Sequence, residues 1–120
     1  MDATVARQRL ETLRGELQDS LDELRRDAQD ATDTGELTSV DQHPADVASN
    51  FVDADREEAS IEVTEAQLGR VDDALARVAD GSYGRCVDCG KELPDERLEA
   101  RPEAERCIED QERFEAATAG

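Results

Sequence analysis

Tryptophan is absent from this sequence, and aromatic residues make up only 2% of its 120 positions, with one tyrosine and two phenylalanines. So little bulky apolar matter excludes a thick globular core. Lysine is nearly absent as well: Lys91 is the only one, and the other bases are arginine. Bases as a whole are scarce, 14 against 32 acids, which leaves a net charge of −18. A chain this acidic repels phosphate backbones, so direct DNA binding is not expected. No apolar run is long enough to span a bilayer, and no basic-then-apolar leader follows Met1, so a cytoplasmic protein without a membrane partner is expected. In that compartment paired cysteines more often hold metal than form disulfides.

What is present is charge, at 38% of residues, laid over a sparse apolar seam. Leu10, Leu13, Leu17, Leu21, Leu24, Ala28 and Ala31 recur at steps of three and four, which predicts one amphipathic helix over residues 2–31. The seam is narrow, as in a two-helix coiled coil. The pattern stops between Thr32 and Gln42, where Thr34-Gly35, Ser39, Asp41 and Gln42 read as a turn. Pro44 then suits the first position of a returning helix over residues 44–80, and Asp46 falls where a carboxylate faces the positive helix end. Val47, Phe51, Ala54, Ile61, Leu68, Val71, Leu75 and Val78 continue the seam. Glu58 and Glu65 interrupt it, and Arg14 or Arg7 of the first arm are the expected partners. About thirty residues give an arm of roughly 45 Å. Asp80-Gly81-Ser82-Tyr83-Gly84 ends the helix. Pro102 is expected to open a last helix, with Phe114 packed back on the base.

All three cysteines lie between Tyr83 and Asp110. Two residues lie between Cys86 and Cys89, as between Cys107 and Asp110, and seventeen residues separate the pairs. That is the spacing of a four-ligand zinc knuckle with an aspartate in the fourth place. Gly90 suits a turn that aims backbone N–H groups at the sulfurs. Carboxylate is a harder and weaker partner for zinc than sulfur. Three outcomes stand open on the residues alone: a structural zinc on Cys86, Cys89, Cys107 and Asp110; a metal-free finger held by packing; and a thiol-redox pair, for which a thioredoxin-like context is missing. The single histidine is remote from the finger in sequence, and no glutamate sits in a recognised hydrolase motif, so a catalytic zinc is not expected.

The run Gly84-x-Cys-x-x-Cys-Gly, with Arg97-Leu-Glu-Ala-Arg-Pro and Cys107-Ile after it, resembles the DksA/TraR family of RNA-polymerase regulators. The likeness is specific over residues 83–110 and collinear back to about residue 41. It implies a mainly α fold: a long antiparallel coiled-coil hairpin over residues 1–82 with its tip at about 33–48, then a small zinc-finger base and short C-terminal helix over 83–120. It further implies one zinc per chain and a partner in RNA polymerase, whose secondary channel receives the tip.

Family tips carry Asp-x-x-Asp-x-Ala. The matching hexad here is His43-Pro44-Ala45-Asp46-Val47-Ala48, so the second aspartate and the alanine are present as Asp46 and Ala48, while His43 replaces the first. Asp46 is then the carboxylate expected to reach the catalytic region of the polymerase, and His43 reads on its own as an exposed turn residue. Some family members bind ppGpp beside the base of the coil. Arg70 and Arg101 match basic positions used there, but Gln111 stands in place of a lysine, so strong ppGpp coupling is not expected. The leading reading is a monomeric, non-enzymatic transcription regulator. A coiled-coil interaction or stress-related module that kept only the scaffold is the alternative, favoured by the altered tip and fourth ligand.

Overall fold

In the computed structural model, the backbone is described for residues 1–38 and 44–119, and side chains for residues 1–30 and 56–118. The fold class is mainly α, with two long helices followed by two short ones. Helices α1 (Ala3–Thr38) and α2 (Pro44–Asp80) are followed by the short α3 (Asp95–Ala100) and by α4 (Ile108–Ala119). No strand occurs among the described residues, only an isolated antiparallel bridge between Arg85 and Glu92.

Helix α1 runs seven residues past its expected end at residue 31, through Thr34 and Gly35 to Thr38. One interior glycine costs only about 1 kcal/mol, too little to stop a long helix. Helix α2 begins at Pro44 and closes at Asp80, as the proline and the glycine after it predict. Gly81 adopts φ +84, and the Ser82 N–H reaches back to the Arg77 carbonyl at 3.0 Å. That six-residue return satisfies a helix-end carbonyl and needs the left-handed conformation glycine takes freely.

Two compact units divide the chain: Met1–Arg14 with Gly69–Gly120, and Gly15–Leu68. In the first, Ala6 and Leu10 of α1 and Val71, Ala74 and Val78 of α2 are buried. Arg14 Nε of α1 meets Asp72 Oδ1 of α2 at 2.7 Å. A second cluster of Cys86, Leu93 and Leu98 has Met1, Tyr83 and Cys107 packed against it. In the second unit Leu21 and Leu68 are buried, and Arg25 Nη2 pairs with Glu65 Oε1 at 2.9 Å. Glu65 thus meets Arg25, neither Arg14 nor Arg7, and Glu58 is exposed. A first helix that ends later brings a more C-terminal arginine opposite Glu65.

The last helix starts at Ile108, not at Pro102. The intervening backbone is committed elsewhere. Tyr83 Oη donates to the Pro102 carbonyl at 2.8 Å, Arg97 Nε donates to that of Arg106 at 2.8 Å, and the Val87 N–H donates to that of Glu105 at 2.9 Å. These bonds tie residues 102–106 to the knuckle and α3 in an irregular path. Phe114 packs back on the base through Arg106, whose guanidinium covers one face of its ring 4.0 Å from the centroid, and otherwise stays 44% exposed.

Candidate metal centre

The first two thiols sit on a tight knuckle. The Cys86 N–H donates to the Lys91 carbonyl at 2.8 Å, the Gly90 N–H to the Cys86 carbonyl at 2.9 Å, and the Leu93 N–H to the Gly84 carbonyl at 2.7 Å. Gly90 has φ +75, the left-handed turn its position called for. Cys86 points inward and is buried, while Cys89 is exposed. The other two donors come from the start of α4. Cys107 caps that helix, its carbonyl accepting the Gln111 N–H at 2.8 Å, and Asp110 stands three residues on, where the partial positive charge of the helix end favours a carboxylate. Asp110 is 8% exposed.

These elements bring Cys86, Cys89, Cys107 and Asp110 together, one donor atom from each lying within 4.8 Å of every other. Asp110 Oδ2 accepts from Cys86 Sγ at 3.1 Å and from Cys107 Sγ at 3.3 Å. The sulfurs of Cys89 and Cys107 are 4.0 Å apart. Sulfurs on two corners of a zinc tetrahedron stand about 3.8 Å apart, given a Zn–S bond of about 2.3 Å. The spacing is therefore that of ligands around an ion and far from that of a disulfide. Three thiols and one carboxylate in a half-enclosed cluster fit one zinc, which when bound would tie the knuckle to α4 as a structural cross-link.

The protonation pattern follows the same contacts. At Cys86 burial works against the thiolate, but N–H groups of Cys107, Cys89 and Asp88 outweigh it and lower the pKa. At Cys89 the Lys91 N–H favours the thiolate, yet Asp110, burial and the other two thiols together push the pKa up to about 12. Thiols donating to Asp110, Cys86 first, hold its carboxyl down at about 2. Asp110 is thus already in its ligating form, and metal binding must displace protons from sulfur.

A ring of polar contacts holds the loop before Cys107. Arg106 donates through Nε to Asp88 Oδ2 at 2.8 Å and through Nη1 to Glu105 Oε1 at 2.6 Å. Arg77 of α2 stands 3.8 Å from the other Glu105 oxygen, and its Nη2 is buried without a hydrogen-bond partner among the described residues. Arg113 Nη1 reaches Asp110 Oδ1 at 3.2 Å. Sequence reasoning passed over Arg106 and Arg113, although the three-residue step from Asp110 to Arg113 on one helix was a legible signal.

The other candidate residues lie elsewhere. Arg70 and Arg101 are exposed. Asp46 and Ala48 fall in the first turns of α2, their side chains outside the described residues, and His43 lies outside them altogether. None of the described helices is long and apolar enough to cross a membrane.

Residues 81–116 match the family model described as the prokaryotic dksA/traR C4-type zinc finger. The chain is similar to General stress protein 16O of Bacillus subtilis, 39% identical over 80 residues that cover 66% of this chain and 49% of that protein. It is also similar to the RNA polymerase-binding transcription factor DksA of Caulobacter vibrioides, 42% identical over 71 residues covering 59% of this chain and 50% of that one. The matches thus span about half the length of these relatives. Among solved structures, transcription factor DksA2 from Pseudomonas aeruginosa superposes with a TM-score of 0.76 and 29% identity, over 98% of this chain and 86% of the other. Apart from the aspartate in the fourth ligand place, residues 81–116 form a finger of the DksA/TraR type, and the chain as a whole is similar to DksA proteins.

Proposed function

We propose that this protein is a transcription regulator that binds RNA polymerase and inserts the tip of its hairpin into the secondary channel. The observation that carries this reading is the likeness to DksA2 over 98% of the chain, which extends the match well beyond the finger. Relatives named as RNA polymerase-binding transcription factors support the same partner. In this reading residues 1–82 form the hairpin with its tip at about 33–48, and residues 83–120 form the base. Cys86, Cys89, Cys107 and Asp110 are the zinc ligands, and zinc fixes the base without taking part in chemistry; the protein is not an enzyme. Asp46 is the working carboxylate of the tip, with Ala48 and His43 beside it in sequence. A carboxylate delivered there engages basic side chains or perturbs mobile elements near the catalytic magnesium. The net charge of −18 favours approach to a positively lined protein channel and disfavours direct contact with DNA. Arg70 and Arg101 are the positions for any ppGpp response, which Gln111 weakens.

Binding to core polymerase and promoter-specific transcription in vitro test the reading. The wild-type chain should bind as a monomer at micromolar concentration and change transcription. Asp46→Asn should bind comparably and lose most of the effect. Absence of binding at micromolar protein would overturn the proposal. The likeness to a general stress protein favours a second reading, a stress-related interaction module without polymerase regulation. Polymerase binding with no transcriptional change in any promoter context would support it.

A further inference from the structure

The two oxygens of Asp110 face different partners. Oδ2 lies among the thiols, 3.1 Å from Cys86 Sγ and 3.3 Å from Cys107 Sγ. Oδ1 faces the other way and receives Arg113 Nη1 at 3.2 Å. The carboxylate side chain is 10% exposed and the arginine 78%, so the pair bridges from the cluster to the surface of α4. We infer that Arg113 is a positioning residue for the metal centre: it holds Oδ1 outside, so that Oδ2 alone serves as the ligand.

The need for such a residue comes from the aspartate. A thiolate has one donor atom and binds zinc without assistance. A carboxylate has two equivalent oxygens, turns readily about its last torsion, and can exchange oxygens, chelate with both or swing out to water. Fixing one oxygen with a hydrogen-bond donor removes those alternatives, as outer partners do for metal-binding side chains generally. Charge points the same way. Three thiolates and a carboxylate carry more negative charge than a divalent ion cancels. Arg113 is the only base on α4, where Glu109, Glu112 and Glu115 add acid. The neighbouring Arg106 is engaged by Asp88 and Glu105 and does not take this role. An exposed ion pair three residues apart on a helix contributes little to stability by itself, so a stability measurement does not reveal the role.

The inference rests on the assignment of zinc to the cluster, and the test separates the two. Zinc affinity is measured by chelator competition on the full chain, together with the visible absorption of the cobalt(II)-substituted protein. Arg113→Met is expected to weaken zinc about tenfold and to alter the cobalt bands, with helicity unchanged, and Arg113→Lys to recover part of the loss. In an Asp110→Cys background, Arg113→Met should change affinity by no more than about twofold, because sulfur needs no such partner. Unchanged affinity and cobalt spectrum in Arg113→Met, or an equal loss in the Asp110→Cys background, would overturn the positioning role. A wild-type chain that takes up no zinc would overturn the zinc assignment and this role with it.

Discussion

The two compact units are built on different principles. Among the described residues, the unit of Met1–Arg14 and Gly69–Gly120 holds ten buried side chains, and the unit of Gly15–Leu68 holds Leu21 and Leu68 alone. The first unit also contains the four-donor cluster, and its chain start and irregular segments are tied in by Met1 with Asp95 and Tyr83 with Pro102. The described part of the second is helix paired with helix, with the Arg25–Glu65 ion pair on the surface. One region therefore draws its order from a small core with a metal cross-link. Among its described residues the other draws it from helical continuity and a narrow seam, so a change of sequence there is felt locally.

The sharpest way to separate the two is to remove a buried donor. Cys86→Ser should lower zinc from one per chain to near zero and unfold the region from Gly84 to Leu98. Amide exchange should rise throughout that region while residues 16–25 and 56–67 keep their protection. Uniform loss of protection along the chain would show that the units do not differ as described.

The next largest effect is in the apolar cluster. Leu98 is 2% exposed, and Leu98→Ala should cost about 2–5 kcal/mol of unfolding free energy, measured by chemical denaturation of the zinc-loaded protein. Val63, 63% exposed on α2, should change stability by no more than about 0.5 kcal/mol when replaced by alanine. Comparable costs at the two sites would erase the contrast.

Tyr83, the only tyrosine, reports on the base through its own ionisation. Burial, opposed by Arg77, raises its pKa. The folded state therefore prefers the neutral phenol. The stabilisation is complete below the unfolded value of about 10 and is lost as pH rises through the higher folded value. Phenolate absorbance should appear later in native than in denatured protein. Tyr83→Phe should abolish that alkaline loss and cost about 1 kcal/mol for the hydrogen bond to Pro102.

The smallest effects belong to the exposed ion pairs. Arg14→Gln and Arg25→Gln, one in each unit, should each cost at most about 1 kcal/mol, less in high salt. A larger loss at Arg25 than at Arg14 would mark the pair as a fastener of the sparser unit.

Much of this architecture was legible because it rests on local chemistry. Pro44 and Gly81 bracket α2, since one lacks the N–H a helix start leaves unpaired and the other takes the conformation a helix end requires. The four donors were legible from spacing, Asp110 included, because a three-residue step on a helix returns to the same face. Legibility failed where distant partners decide. The end of α1 was misplaced because Gly35 is a weak breaker set against a long helix. The six residues of α3 bury only Leu98 and carry no periodic signal of their own. The stretch from Pro102 to Arg106 looked helical, yet Tyr83, Val87 and Arg97 claim its carbonyls.

The most direct test of polymerase engagement is site-specific crosslinking. A photoreactive residue placed at Ala48 and mixed with core RNA polymerase should crosslink to subunit segments lining the secondary channel, and excess wild-type protein should compete it away. Crosslinks confined to the outer surface of the polymerase, or none while the same protein binds the enzyme, would contradict insertion of the tip.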